Sequence, residues 1–224
     1  MRVAFALLWL AACGGVPPRP DGPPPEYPGT LLEVGDLRSP PALGEAFAHE
    51  QRVRTIYPEG EQSFRAVVQL RGEQLVLVGF GPHGGRGFVL TQNGADIDFE
   101  SHLPGELPFP PEFMLHDIQR VWFIGLEGPL PDGEHHAEVD GETVTERWEA
   151  GRLRERTFVR PGREGQIHVD YGEGLGGNEP PEVVTMDNGW FGYQLELTTL
   201  SHQRIDPPEP DVSDDDSPSE APSL

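Results

Sequence analysis

Lysine is absent from this chain of 224 residues, cysteine occurs once, and no apolar run is long enough to cross a bilayer as a helix. One cysteine excludes an internal disulfide even in an oxidising compartment, so folding rests on a hydrophobic core. The ten apolar residues from Val3 to Ala12 fall well short of the roughly 20 that a spanning helix needs. Bases are scarce as well: sixteen arginines face 38 acids, for a formal net charge of −22. Nucleic-acid binding needs clustered positive charge and is excluded as a class. The same charge repels anionic membrane surfaces.

Signatures of catalysis are also missing. The chain has no H-E-x-x-H, C-x-x-C or G-x-S-x-G pattern, so neither an enzyme nor a metal or other cofactor is expected. Gly79-Phe80-Gly81-Pro82-His83-Gly84 matches G-x-G-x-x-G to the letter. A phosphate cradle, however, needs a helix N-terminus directly after the glycines, and here the next segment reads as a strand. Pro82 also removes a backbone donor from the loop, so a glycine-rich hairpin loop is the better reading. His135-His136 are adjacent and read as a surface loop pair, since neighbouring side chains rarely share an ion. Asp96 and Asp98 lie two apart on one strand, but acid-pair chemistry needs carboxylates set across a cleft.

What is present begins at the start of the chain. Arg2 supplies a positive charge, Val3 to Ala12 an apolar core, and Leu10-Ala11-Ala12-Cys13 closes it with two small residues and a cysteine. That pattern reads as a bacterial lipoprotein signal over residues 1–12, cut before Cys13, which would carry the acyl chains. Two or more such chains anchor a protein firmly. Gly14 rather than aspartate after the cysteine favours the outer membrane, with the protein facing the periplasm. Residues 13–29 hold seven prolines and read as a linker. Residues 206–224 carry seven acids and no base, a composition expected to stay disordered. Residues 30–205 are long enough for one domain.

Within that domain, period-two alternation dominates. Phe64, Ala66, Val68 and Leu70 share one face, Leu75 and Leu77 continue it after Gly72-Glu73, and Phe88 and Leu90 follow. Asn93-Gly94 signals a hairpin into Ala95 to Glu100. Further strands are expected over Glu142–Glu149, Arg152–Arg160, Gly165–Tyr171, Glu182–Met186 and Gly192–Leu200. One segment breaks the pattern. After Pro110-Pro111, the residues Met114, Ile118, Val121 and Trp122 recur at helical spacing, with Glu112, His116, Gln119 and Arg120 opposite. The expected fold is mainly β: a curved antiparallel sheet forming a half-open barrel, with one amphipathic helix across its concave face.

Several of these residues carry a likeness. The stretch from Ser63 to Trp122 includes Leu75-Val76-Leu77-Val78-Gly79, the loop Gly84-Gly85-Arg86 running into Phe88-Val89-Leu90, and the helical Leu115-His116-Asp117-Ile118-Gln119 with Trp122. With Gly189-Trp190-Phe191-Gly192-Tyr193-Gln194-Leu195 near the end, it resembles an uncharacterised family of bacterial lipoproteins related to the outer-membrane lipoprotein receptor LolB. The likeness covers roughly Glu45 to Leu200. It implies an apolar half-barrel able to hold a lipid or a lipoprotein acyl chain. Phe64, Val68, Leu70, Leu75, Leu77, Phe88 and Leu90 would line its interior, and Met114, Ile118 and Trp122 would face it from the helix. This chain has one clear helix where several would cover the receptor's barrel. The alternative is a structural or adaptor lipoprotein with a filled core and an envelope protein as partner.

Overall fold

The computed structural model describes residues 36–43, 46–58, 60–81, 83–103, 110–176 and 179–205. The signal segment 1–12, Cys13, the whole proline-rich linker to residue 29 and the acidic tail 206–224 lie outside the described residues. Eleven antiparallel strands form one sheet: β1 (Phe47–Tyr57), β2 (Gly60–Arg71), β3 (Gln74–Phe80), β4 (Arg86–Asn93), β5 (Asp96–Ser101), β6 (Gly133–Val139), β7 (Glu142–Glu149), β8 (Arg152–Val159), β9 (Ile167–Leu175), β10 (Val183–Asn188) and β11 (Tyr193–Arg204). The spatial order is β5-β4-β3-β2-β1-β11-β10-β9-β8-β7-β6, so β5 and β6 are the two edges and the half-barrel stays open. Helix α1 (Glu112–Trp122) carries the chain from one edge to the other.

Local chemistry explains the hairpins. Asp140-Gly141 and Ala150-Gly151 each place two successive residues at positive φ, the geometry of the tight turn whose twist matches paired strands. On the inner face, cross-strand neighbours run Leu70–Leu75, Val68–Leu77 and Leu77–Leu90. Alternation therefore delivers one apolar surface, as expected. Most expected strands appear within a few residues of their ends, but β1 and β6 were not expected. His135 and His136 consequently sit on edge strand β6 rather than in a loop.

The core divides in two. One cluster, from β7 to β11, includes Val144, Phe158, Ile167, Val169, Tyr171 and Met186 with Val121 of the helix. The other, from β1 to β4, includes Phe47, Val68, Leu70, Leu75, Leu77, Phe88 and Leu90 with Leu115. Val53 on β1 packs against both.

The helix corrects one expectation. His116, Gln119 and Arg120, assigned to the solvent side, are buried, whereas Met114, Ile118 and Trp122 are only half-buried. The reason is that the polar residues find partners deep in the half-barrel. Gln119 accepts from the Arg38 amide at 2.8 Å and donates to Gln92 and the Arg38 carbonyl, each at 3.0 Å. Arg120 pairs with Glu142 at 2.8 Å, and both side chains are almost fully buried. Asp117 accepts from Tyr193 and Asn188. Tyr171 donates to the Val121 carbonyl at 2.7 Å. A buried polar group with a partner is tolerated where an unpaired one is costly.

Candidate functional site

Four of the ten expected lining residues remain partly reachable: Phe64 on β2, and Met114, Ile118 and Trp122 on the helix. The helical three recur every fourth residue and so form one stripe along α1. Phe64, Met114 and Ile118 pack against the β1–β4 cluster and Trp122 against the β7–β11 cluster. Half-buried Val53, next to Phe64 across β1 and β2, and half-buried Leu195 add apolar surface from the middle of the sheet. Together these half-buried side chains leave apolar surface over the sheet's centre, between the two cores.

The other six, Val68, Leu70, Leu75, Leu77, Phe88 and Leu90, are at most 5% exposed and pack against one another. The structure thus brings the expected strand residues together in mutual contact, as part of the β1–β4 core. Trp122 meets His49 edge-on, with ring centroids 5.1 Å apart. Phe64 and Phe88 meet at 5.8 Å, and Phe88 and Phe99 at 6.0 Å. Sequence reasoning missed Val53 and Leu195, and it missed His49. An alternation count over Phe47–Tyr57 picks out Phe47 and Val53, but the polar residues between them hide the strand.

Residues 48–201 match the DUF3261 family, described as a protein of unknown function. The chain belongs to this family. The uncharacterised family expected from the sequence is thereby met. No curated protein matches the chain. Among solved structures, a LolA superfamily protein from Nitrosomonas europaea is 16% identical with a TM-score of 0.42, covering 79% of this chain and 93% of its own. A putative outer membrane lipoprotein-sorting protein domain from Vibrio parahaemolyticus is 9% identical with a TM-score of 0.36, over 71% of this chain and 85% of its own. A DUF1329 family protein from Desulfovibrio piger is 14% identical with a TM-score of 0.37, over the same shares. These likenesses are distant, and function has to be read from this chain's own residues.

In this DUF3261 chain the remaining sequence candidates are dispersed. Asp96 and Asp98 are both exposed on edge strand β5. The His135 ring contacts the Pro131 carbonyl at 2.8 Å. The glycine-rich segment closes the β3–β4 hairpin, with the Gly81 amide donating to the Gly85 carbonyl at 2.8 Å, and a strand follows it. Among the described residues no group of three or more His, Cys, Asp or Glu is arranged to hold a metal ion. One depression of about 380 Å³ is lined by Glu179, Pro180, Thr199, His202 and Arg204. Another of about 400 Å³ lies beside Arg38, Leu126 and Ala137–Asp140.

Burial sets the electrostatics beneath the helix. Asp117 is pushed up to about 7, chiefly by desolvation and against the pull of Tyr193, Arg120 and Asn188. His116 is pulled down to about 3 by burial and then by Arg120 and Arg160. Burial, with His202 adding to it, lowers His49 to about 4. Each of these groups lies against the helix or within the sheet's inner face, where it is neutral near pH 7 or close to losing its charge.

Proposed function

We propose that this chain is a non-catalytic carrier that holds a lipid or lipoprotein acyl chain in the cleft between the helix and the centre of the sheet. One observation carries the reading: α1 buries Asp117, Gln119 and Arg120 while leaving Met114, Ile118 and Trp122 half-accessible. Burying these three large apolar side chains fully would add stability at about 25 cal/mol per Å². The helix instead packs Phe113, Leu115 and Val121 inward beside these polar groups and presents the stripe to something else. An alkyl chain suits such a cleft, because each buried methylene contributes about 0.8 kcal/mol. Roughly ten methylenes then reach the 8.2 kcal/mol of micromolar affinity.

Attachment to the outer membrane through acylated Cys13, facing the periplasm, belongs to the same proposal and is supported by the run from Val3 to Cys13. The linker would let the domain reach away from the bilayer. Mass spectrometry of the mature N-terminus tests it: a diacylglyceryl group on Cys13 is expected, and a soluble product from wild type as well as from Cys13→Ser would refute it.

The cleft is tested by titrating the purified chain with a fluorescent acyl probe. Ile118→Asp should weaken binding at least tenfold while the circular dichroism spectrum stays that of wild type. Equal affinity in the two proteins would exclude the cleft. A specific observation favours a second reading: six expected lining residues already pack against each other. In that case the domain is a filled structural or adaptor protein, and neither purified lipid nor probe binding would be found.

A further inference from the structure

The inner face of β1 is not apolar along its whole length. From Val53 toward the start of the strand, Gln51 and His49 project on the same side and are 2% and 6% exposed. His202 on β11 is the cross-strand partner of His49, and the two rings meet edge-on with centroids 4.4 Å apart. The Nε2 of Gln51 and the Nδ1 atoms of His49 and His202 are buried and have no hydrogen-bond partner. Three of the six such atoms among the described residues therefore fall in this one seam. In native folds such groups are almost always paired.

The seam adjoins a built depression. The cavity of about 380 Å³ has His202, Thr199 and Arg204 in its wall, and Thr199 is the cross-strand partner of Gln51. A register shift between Glu50 and Gln51 breaks the β1–β11 ladder at this point. Bulges of this kind re-aim side chains and gather beside binding sites. Beyond the seam lies Trp122, in contact with His49 and the first member of the helical stripe that lines the apolar cleft.

We propose that this depression is an oxyanion site, which takes the carboxylate or phosphate head of an amphiphile whose tail lies along Trp122, Ile118 and Met114. Arg204 supplies fixed positive charge and the His202 ring a donor, with the buried, unpartnered nitrogens of His49 and Gln51 behind it. Glu179, exposed on the rim, is the opposing charge in the wall. The tail half of this inference rests on the carrier reading, whereas the oxyanion half stands without it. Burial, and after it Arg204, lowers the pKa of His202, with Glu179 acting in the other direction. An anion seated against the ring raises it. The groups facing His202 are His49 from β1, Arg204 from its own strand and Glu179 from the loop before β10.

The test titrates the full chain with dodecyl phosphate, dodecanoate, dodecanol and inorganic phosphate by calorimetry, while imidazole nitrogen NMR follows His202. Both anionic amphiphiles should bind about tenfold or more tightly than dodecanol, because charge-assisted hydrogen bonds are the stronger kind. The His202 pKa should rise on binding. Exposed Arg204→Gln and the wall variant His202→Asn should abolish the preference and leave dodecanol unaffected, and Glu179→Gln should strengthen oxyanion binding. Equal affinity for the three amphiphiles would overturn the head site and leave the carrier reading intact. A shift of His202 by inorganic phosphate without binding of any amphiphile would support the head site and remove the carrier reading. Weaker oxyanion binding in Glu179→Gln would overturn the assignment of charge.

Discussion

Tyr193 on β11 donates its phenolic hydrogen to the carboxylate of Asp117 on α1, across 76 residues of sequence. Asn188 on β10 reaches the same carboxylate from its amide nitrogen at 3.3 Å and the Tyr193 oxygen at 2.9 Å. The helix is thereby tied to the β10–β11 hairpin through a group that burial makes expensive to ionise.

That expense has a defined pH window. Asp117 titrates near 3.8 when unperturbed and at about 7 in the folded protein. Between these values the folded state holds a proton that the unfolded state has released. The stability this residue contributes is fully present below about 3.8 and is lost as pH rises through 7. His116 and His49 act in the opposite sense. Their contributions are present above 6.5 and lost as pH falls toward about 3 and 4. Asp117→Asn should therefore gain on wild type by roughly 2–4 kcal/mol between about pH 5 and 8, at about 1.4 kcal/mol per unit. Urea denaturation of both proteins at the two pH values measures this, and a constant difference would contradict it.

A second buried pair supports the other half of the sheet. Arg156 Nε donates to Glu146 at 2.7 Å, with side chains 7% and 0% exposed. Glu146 also accepts from the Trp148 indole at 2.9 Å and the Leu126 amide at 3.1 Å. Arg156 donates further to Tyr171 and to the Arg120 carbonyl. Removal of one partner leaves an uncompensated charge, so Glu146→Ala should cost about 3–5 kcal/mol. The double replacement Glu146→Leu with Arg156→Met should cost less than Glu146→Ala alone. Equilibrium denaturation of the two variants decides between this and simple loss of packing.

These networks show why the helix's facing was hidden while its existence was legible. Proline before α1, the fourfold recurrence of apolar residues and Gly125 after its end are local signals, and they place the element correctly. The partners that draw Gln119, Arg120 and Asp117 inward are Gln92, Glu142, Asn188 and Tyr193, each 22 or more residues away. Local amphipathicity carries no record of them. Strand β1 was hidden for a related reason, since two of its inner residues are His49 and Gln51. Edge strand β6 is exposed along most of both faces and lacks alternation, although Asp140-Gly141 is a hairpin signal that marks its end. The apolar strand face from Phe64 to Leu90 was legible because each residue there follows period two. The Met114–Ile118–Trp122 stripe was legible as apolar, yet its half-accessible state depends on what the opposite side of the helix binds.

The Ala150-Gly151 turn invites a stabilising change. Ala150 has φ of 52°, a left-handed conformation that costs a residue with a Cβ about 1–2 kcal/mol. Asn and Gly visit that region readily. Ala150→Asn should therefore raise stability by about 0.5–1 kcal/mol without touching the cleft. Asp140, at φ of 53° in the equivalent turn, already has a side chain suited to it. Thermal unfolding of the Ala150 variant checks the sign, and a lower midpoint than wild type would refute the argument.

Gly79 matters for a different reason, because Phe88 occupies the space its side chain would take. The two are cross-strand partners on β3 and β4, and a Cβ on Gly79 would lie 2.1 Å from the Phe88 ring. That ring also touches Phe64 and Phe99, so it cannot move without disturbing them. Gly79→Ala should cost about 1–3 kcal/mol through overpacking. Phe88→Leu alone should also destabilise, by removing aromatic contacts and leaving space beside Phe64. Combined, the two changes should cost less than their sum, since the smaller leucine makes room for the new methyl group. Denaturation of the full double-mutant cycle gives the coupling directly. Strict additivity would mean that the ring does not hold this place.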